Sequence, residues 1–273
     1  MVVWQSMQKL NTDNSWIEQI ARFGYAIKGV VYLIVGLLAM PVALGIGDEA
    51  AGTNDALQLI MRQPLGKFLL IVVAVGLVSY AVWRFIQAFV DPEHQGSQAK
   101  RVVPRLGYAI SGTSYAGLAV TAIQIIAGTG SHSSSWRQDW AARLLAQPFG
   151  QWLLGIVGVV VLGIGVSFAY VAFTPKFRQR LQLTKMSTAG VKWAIGIGRF
   201  GVTARGVAFG VIGLLLIQAA VQSDPDEATG LGGALQTLAE EPFGRMLLGI
   251  IAIGLVAYAI HLLILARYRR IRI

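Results

Sequence analysis

Residues 22–29 read RFGYAIKG, and the pattern returns as RLGYAISG at 105–112 and as RFGVTARG at 199–206. Each copy is followed by an apolar run and then by a second signature, which is QPLG at 63–66, QPFG at 147–150 and EPFG at 241–244. The two signatures begin 41, 42 and 42 residues apart (63−22, 147−105, 241−199). Such constant spacing indicates three tandem repeats, and repeats have to be recognised before any other feature is interpreted.

The chain is far too apolar for an ordinary soluble domain. It is 55% hydrophobic and only 13% charged, with a mean hydropathy of +0.61, whereas soluble domains are about 25% charged. A helix needs about 20 apolar residues to cross the hydrocarbon layer. Six stretches come close to this length, at about residues 23–44, 65–90, 106–127, 144–175, 206–223 and 243–265. They are apolar on every face rather than alternating, so we predict six transmembrane helices and an all-α fold.

The repeats define the organisation of the chain. We predict one membrane domain over residues 1–273, with repeats at 22–90, 105–174 and 199–266. Each repeat holds two spans joined by a short surface helix, expected at 56–61, 140–146 and 234–239. Because the number of spans per repeat is even, all three repeats insert in the same orientation. Three parallel two-helix repeats side by side predict a pseudo-threefold bundle.

The two ends of the chain lie outside the repeats. Residues 1–20 are polar, with scattered tryptophan, leucine and isoleucine. This composition fits either a helix in the membrane interface or a disordered segment, and it lacks the apolar core of a removable signal peptide. Residues 267–273 form a basic C-terminal tail.

Charge predicts the orientation. The N-terminus, the linkers 91–104 and 175–198, the C-terminus and the adjoining helix ends hold 18 of the 23 Lys and Arg residues. The opposite side holds nine of the 13 acidic residues. Since cytoplasmic loops carry the excess of Lys and Arg, we predict a multi-pass protein with both termini in the cytoplasm. The chain has no cysteine, which excludes disulfides and thiolate metal sites.

Three segments of the third repeat resemble a known bacterial membrane family. They are the RFG opening at Arg199, the ALQ run at Ala234 that leads to EPFG at 241–244, and GLVAY at 254–258. Together they resemble the family catalogued as domain of unknown function 1206, and the resemblance extends over residues 22–267. It implies three copies of a two-helix unit in the bacterial inner membrane. The family has no established activity, so no site residue follows from the resemblance.

Residues that could carry catalysis are few. The three histidines, His94, His132 and His261, are scattered along the chain, and no phosphate-binding glycine loop precedes a Lys-Ser/Thr pair. We therefore predict no catalytic residue, no metal site and no cofactor. The net charge of +10 follows from membrane topology, so nucleic acid is not an expected partner. No Asp or Glu falls inside a span, which argues against ion-coupled transport.

The charged residues inside the spans are basic. Lys28 and Arg205 occupy equivalent positions, six residues after the opening Arg of their repeats, and Arg84 interrupts the second span. Their long side chains either snorkel, so that the charged group reaches the headgroup region, or form a site for anions or anionic lipid headgroups. If spans 1, 3 and 5 line the axis, the site includes a ring of arginines above Lys28 and Arg205, with Ser111 in the third place. The candidate residues are Arg22, Lys28, Arg105, Arg199 and Arg205.

Two kinds of function fit this sequence. The first is a non-enzymatic scaffold or binding protein whose partners are membrane lipids, including anionic ones, or another membrane protein. The second is a passive channel or carrier for small anionic solutes. A continuous polar cavity along the bundle axis would favour the second.

Overall fold

The protein is described by a computed structural model that covers residues 15–47, 50, 52–90, 98–129, 142–174, 187–223 and 231–269. These residues form helices and turns and no β-strand. The eight helices are α1 (Ser15–Ala43), α2 (Thr53–Arg62), α3 (Gly66–Phe89), α4 (Gln98–Ala127), α5 (Gly150–Phe173), α6 (Thr188–Gln222), α7 (Leu231–Glu240) and α8 (Gly244–Tyr268).

Six of these helices, α1, α3, α4, α5, α6 and α8, are long and apolar enough to cross a membrane. The prediction of six spans, two in each repeat, is thus confirmed, and the chain is a multi-pass membrane protein. The short helices α2 and α7 lie where surface helices were predicted, and residues 142–145 form a single helical turn at the third such place.

The linkers are shorter than predicted. Helix α6 begins at Thr188, eleven residues before Arg199 (199−188), because Ser187 caps it by accepting a hydrogen bond from the Gly190 N–H at 3.2 Å. Helix α4 begins at Gln98 and continues through Pro104. The predicted interfacial segment 1–20 lies outside the described residues except for the start of α1, and the basic tail is described only to Arg269.

The second signature folds into the same turn in every repeat. Leu65, Phe149 and Phe243 have φ of 61°, 70° and 60° and immediately precede α3, α5 and α8. The glycine that follows each of them cannot be replaced by a larger residue. A Cβ at Gly150 would lie 1.8 Å from the Leu144 carbonyl oxygen, and one at Gly66 would lie 2.1 Å from the Met61 carbonyl oxygen. The repeat therefore extends to backbone geometry.

Contacts between repeats join the second span of one repeat to the first span of another. These interfaces pair α3 with α4, α5 with α6, and α8 with α1. An equivalent glycine lies at each interface. A Cβ added at Gly29 would meet the Leu263 side chain, one at Gly112 would meet the Phe85 ring, and one at Gly206 would meet the Gly165 carbonyl oxygen. Small residues of this kind let helix backbones approach in a bilayer. The pseudo-threefold arrangement of the repeats stays a prediction.

Contacts within the first and third repeats are also equivalent. Helix α1 packs on α3, and α6 packs on α8. A Cβ at Gly76 would lie 2.2 Å from the Ile27 side chain, and one at Gly254 would lie 2.1 Å from the Ala204 Cβ. The backbones of the two spans in each hairpin are therefore in close contact.

The second repeat lacks this contact. Among the described residues, α4 packs on α3 and α2, and α5 packs on α6, but α4 and α5 share no comparable interface. Ile110 is equivalent to Ile27 and Ala204, and Val160 is equivalent to the glycines that these two residues contact. Ile110 and Val160 are each 46% exposed, whereas Ile27 is 9% and Ala204 is 5% exposed. Val160 replaces the glycine that permits the close approach in the other two repeats. We call the space between these helices the α4–α5 gap.

Candidate functional site

Lys28 is fully buried in the middle of α1. It lies six residues after Arg22, which places it about 9 Å further along the helix. Its ammonium group donates a hydrogen bond to the Tyr80 hydroxyl at 2.9 Å. The nitrogen also lies 4.4 Å from the centres of the Tyr80 and Tyr115 rings. The Lys28 side chain thus extends from α1 to contact α3 and α4, and none of these contacts is with a carboxylate.

Four tyrosine rings surround the Lys28 ammonium group, and we call them the tyrosine cage: Tyr32, Tyr80, Tyr115 and Tyr258. Tyr32 and Tyr258 lie 5.8 and 5.7 Å from the nitrogen and pack edge to face at 5.0 Å. The Tyr115 hydroxyl donates to the Tyr32 hydroxyl at 3.3 Å. A desolvated cation facing an aromatic ring gains about 2 kcal/mol, so the cage compensates part of the cost of burying Lys28.

Arg205 on α6 is the third-repeat equivalent of Lys28 and is also buried. Its Nη1 donates to the Tyr258 hydroxyl, and its guanidinium lies 4.6 Å from the Phe168 ring and 5.0 Å from the Phe209 ring. Its Nε is buried and has no hydrogen-bond partner in the described part of the chain. Arg205 and Lys28 both contact Tyr32 and Tyr258, so the structure brings these two predicted residues together.

Arg84 on α3 adds a third cation. Its Nε donates to the Tyr80 hydroxyl at 2.8 Å and its Nη1 to Gln87 Oε1 at 3.1 Å. The guanidinium also lies 5.3 Å from the Tyr108 ring on α4. The Tyr80 hydroxyl oxygen therefore accepts hydrogen bonds from both Lys28 and Arg84. We refer to Lys28, Arg84 and Arg205 as the cationic cluster.

No negative charge balances the cationic cluster within the described residues. The acidic groups there lie at helix ends, with Glu18 in the first turn of α1, Asp55 in the first turn of α2, and Glu240 and Glu241 at the end of α7. Phenol oxygens and aromatic faces supply the local partners instead. Three cations held close together in a low-dielectric interior repel one another, and an anion among them would reverse the sign of that energy.

The three opening arginines lie elsewhere, each at the C-terminal end of a span from a neighbouring repeat. Arg22 Nη1 donates to the Ala266 carbonyl at 2.7 Å, and Arg22 also pairs with Glu18. Arg105 Nη2 donates to the Phe89 carbonyl at 2.9 Å. These bonds satisfy carbonyls that the last turn of a helix leaves unpaired.

Arg199 lies 5.9 Å from the Phe173 ring at the end of α5. Its Nε is buried without a hydrogen bond among the described residues. Each of the three arginines thus makes its own contact between repeats, and their arrangement as a ring above Lys28 and Arg205 stays a prediction. Binding of an anion by Arg22, Arg105 or Arg199 stays a prediction, and Ser111 is partly buried on α4.

The histidines do not assemble a metal site among the described residues, where no group of three or more His, Cys, Asp or Glu side chains could hold an ion. His261 is buried on α8, whereas His94 and His132 lie outside the described residues.

The chain matches the family described as Domain of Unknown Function (DUF1206) in three tandem segments, residues 23–91, 106–174 and 200–269. The chain belongs to this family. The three matches coincide with the repeats predicted from the sequence. The DUF1206 chain is also 33% identical over 264 residues to "Uncharacterized protein YxxB" of Bacillus subtilis (strain 168). This match covers 96% of the chain and 95% of the relative. No solved structure matches the chain.

Most of the residues around the cations of this DUF1206 protein were not predicted from its sequence. The signal for them lies in the repeat, because Tyr32, Tyr115 and Phe209 each follow the opening Arg by ten residues. Tyr80 and Tyr258 likewise share one position in the first and third repeats, seventeen residues after the Gln or Glu of the second signature. Aromatic residues at equivalent positions therefore mark the helix faces that surround Lys28 and Arg205.

Proposed function

We propose that this protein is a non-enzymatic protein of the bacterial inner membrane, with both termini in the cytoplasm, that binds anionic lipid headgroups and acts as a scaffold. The observation that carries the proposal is the cationic cluster, in which three neighbouring cations are balanced by no carboxylate of the described residues. Its ligands are membrane lipids, and the scaffold role implies a membrane-protein partner.

Energetics support an anionic ligand. A Lys or Arg at the centre of a spanning helix costs about 2.5–3.5 kcal/mol on insertion scales, and this chain places Lys28 and Arg205 side by side. The Arg205 Nε is a buried donor without a hydrogen-bond partner in the part of the chain that the structure describes, and an unpaired donor of this kind costs about 1–3 kcal/mol. A phosphate group accepts several charge-assisted hydrogen bonds at once, which suits a guanidinium beside an ammonium.

Thermal melting in detergent tests lipid binding. The parent protein and Lys28→Met/Arg205→Met are compared with added phosphatidylglycerol or phosphatidylcholine, since methionine retains the apolar stem while removing the charge. We expect phosphatidylglycerol to raise the melting temperature of the parent alone. Without lipid, we expect the variant to melt at the parent temperature or above it, because two buried charges that are only partly compensated are gone.

The matched control is Arg62→Met/Lys67→Met, which removes two exposed cations from the opposite end of the bundle. It should respond to phosphatidylglycerol as the parent does. Equal responses of the parent and the Lys28→Met/Arg205→Met variant would contradict lipid binding by the cluster.

The alternative function is a passive channel or carrier for small anions. It is favoured by one observation, namely that equivalent cations from two repeats lie inside the spans. The complete burial of Lys28 fits a binding site better than an open pathway. Chloride and phosphate flux in proteoliposomes distinguishes the two, since a pathway predicts flux that Lys28→Met reduces, whereas a lipid-binding scaffold predicts no flux above that of empty liposomes.

A further inference from the structure

We propose that the ligand of the cationic cluster is a phosphate-bearing lipid of the cytoplasmic leaflet, which enters sideways through the α4–α5 gap. This inference rests on the proposed function and adds to it the route and the source of the ligand. It follows from the loss of contact between α4 and α5, by which the second repeat departs from the other two.

The gap is a specific loss of helix contact. In the first and third repeats, a Cβ at Gly24 or Gly201 would lie 2.7 or 2.3 Å from the backbone of Tyr80 or Tyr258, so these hairpins are closed. The equivalent Gly107 of α4 has nothing within 4 Å of its Cβ position. Ile164 stands on α5 where the other repeats have tyrosine. The second hairpin is therefore open at the level of the cluster.

Both walls of the gap lead to the cluster. On α4, Tyr108 lies against Arg84 at 5.3 Å, and Tyr115 lies against Lys28 at 4.4 Å. On α5, Phe168 lies against Arg205 at 4.6 Å. Three aromatic rings thus separate the gap from the cations, and Arg84, Tyr108 and Phe168 are only partly buried. Rotation of these rings would expose the cations to an occupant of the gap.

The donors fit a phosphate group. Lys28 has three N–H groups and makes one hydrogen bond, to Tyr80, within the described residues. Arg205 adds its unpaired buried Nε. These donors come from adjacent side chains that share two tyrosine neighbours, so one tetrahedral anion can accept from both.

The position of the gap favours a lipid over a free anion. Helix α5, which forms one wall of the gap, carries exposed apolar side chains such as Ile156 and Val159. These suit acyl chains, whereas a hydrated ion crossing hydrocarbon loses its solvation. Lys28 and Arg205 lie about 9 Å along their helices from the opening arginines. A lipid phosphate at the level of those arginines therefore has only a short distance to descend.

Closing the gap tests the route. The chain has no cysteine, so Ile110→Cys/Val160→Cys can be bridged across the gap with a flexible bismaleimide. Melting temperatures are then measured for the bridged and the reduced, unbridged forms with phosphatidylglycerol or inorganic phosphate. We expect phosphatidylglycerol to raise the melting temperature of the unbridged form and not that of the bridged form. Inorganic phosphate should raise the melting temperature of neither form.

Each outcome has a separate meaning. Stabilisation by phosphatidylglycerol that survives bridging would overturn lateral entry and leave lipid binding intact. Absence of stabilisation in both the parent and the unbridged form would overturn lipid binding itself. Stabilisation by inorganic phosphate in place of the lipid would assign the site to free anions.

Photo-crosslinking gives a second measurement that does not depend on bridging. Benzoylphenylalanine in place of Ile164 should capture labelled phosphatidylglycerol several-fold less when Lys28→Met/Arg205→Met is also present. The same probe in place of Val78, an exposed residue of α3, serves as the control and should capture the lipid equally in both backgrounds. An equal yield at position 164 in both backgrounds would contradict the proposal.

Discussion

Alanine at the three equivalent glycines Gly24, Gly107 and Gly201 tests whether the second hairpin differs from its neighbours. At Gly24 the added Cβ would lie 2.7 Å from the Tyr80 N and Cα atoms, and at Gly201 it would lie 2.3 Å from the Tyr258 N atom. Backbone atoms cannot rotate away, so the paired helices have to separate. At Gly107 the same methyl group enters open space.

The expected magnitudes follow from two opposing effects. Overpacking costs about 1–3 kcal/mol, and alanine in place of glycine gains up to about 1 kcal/mol of helix propensity. Because the clashes are with backbone, we expect Gly24→Ala and Gly201→Ala to lose about 1–2 kcal/mol net. Gly107→Ala should gain up to about 1 kcal/mol. Each kcal/mol corresponds to about 2–4 °C in a domain of this size class.

Melting in one detergent, followed by tryptophan fluorescence and by the recovery of the monodisperse peak, measures all three variants. The expected order of melting temperatures puts Gly107→Ala at or above the parent and the other two variants several degrees below it. A Gly107→Ala variant destabilised as much as Gly24→Ala would refute the open hairpin, and with it the route proposed for the lipid.

Two further predictions concern the ends of the spans. Arg22→Ala should lower the stability by about 1–3 kcal/mol, because it removes charge-assisted hydrogen bonds to the last carbonyls of α8; a melting temperature equal to that of Arg62→Ala, an exposed control, would contradict this role. Cysteine at Ser187 should be protected from an impermeant thiol reagent in intact cells, whereas cysteine at Arg62 should be labelled. The reverse labelling pattern would overturn the predicted orientation.

The sequence by itself determined the membrane class, the six spans and the three repeats. These properties depend on the length of apolar runs and on the spacing of short signatures, both of which are local and can be counted along the chain. It also selected Lys28 and Arg205, because a charge inside a span is costly and the two positions are equivalent.

The neighbours of those two residues were decided only by the tertiary structure. A repeat pattern shows that Tyr80 and Tyr258 are equivalent, but whether they face lipid, solvent or Lys28 depends on how each helix is rotated against its partners. The same holds for Arg22, whose two carbonyl acceptors lie 244 and 245 residues away in sequence. The open second hairpin depends on tertiary packing too. Val160 stands where the other repeats have a contact glycine, and this difference matters only because the two helix backbones of a closed hairpin lie within a few ångströms of each other.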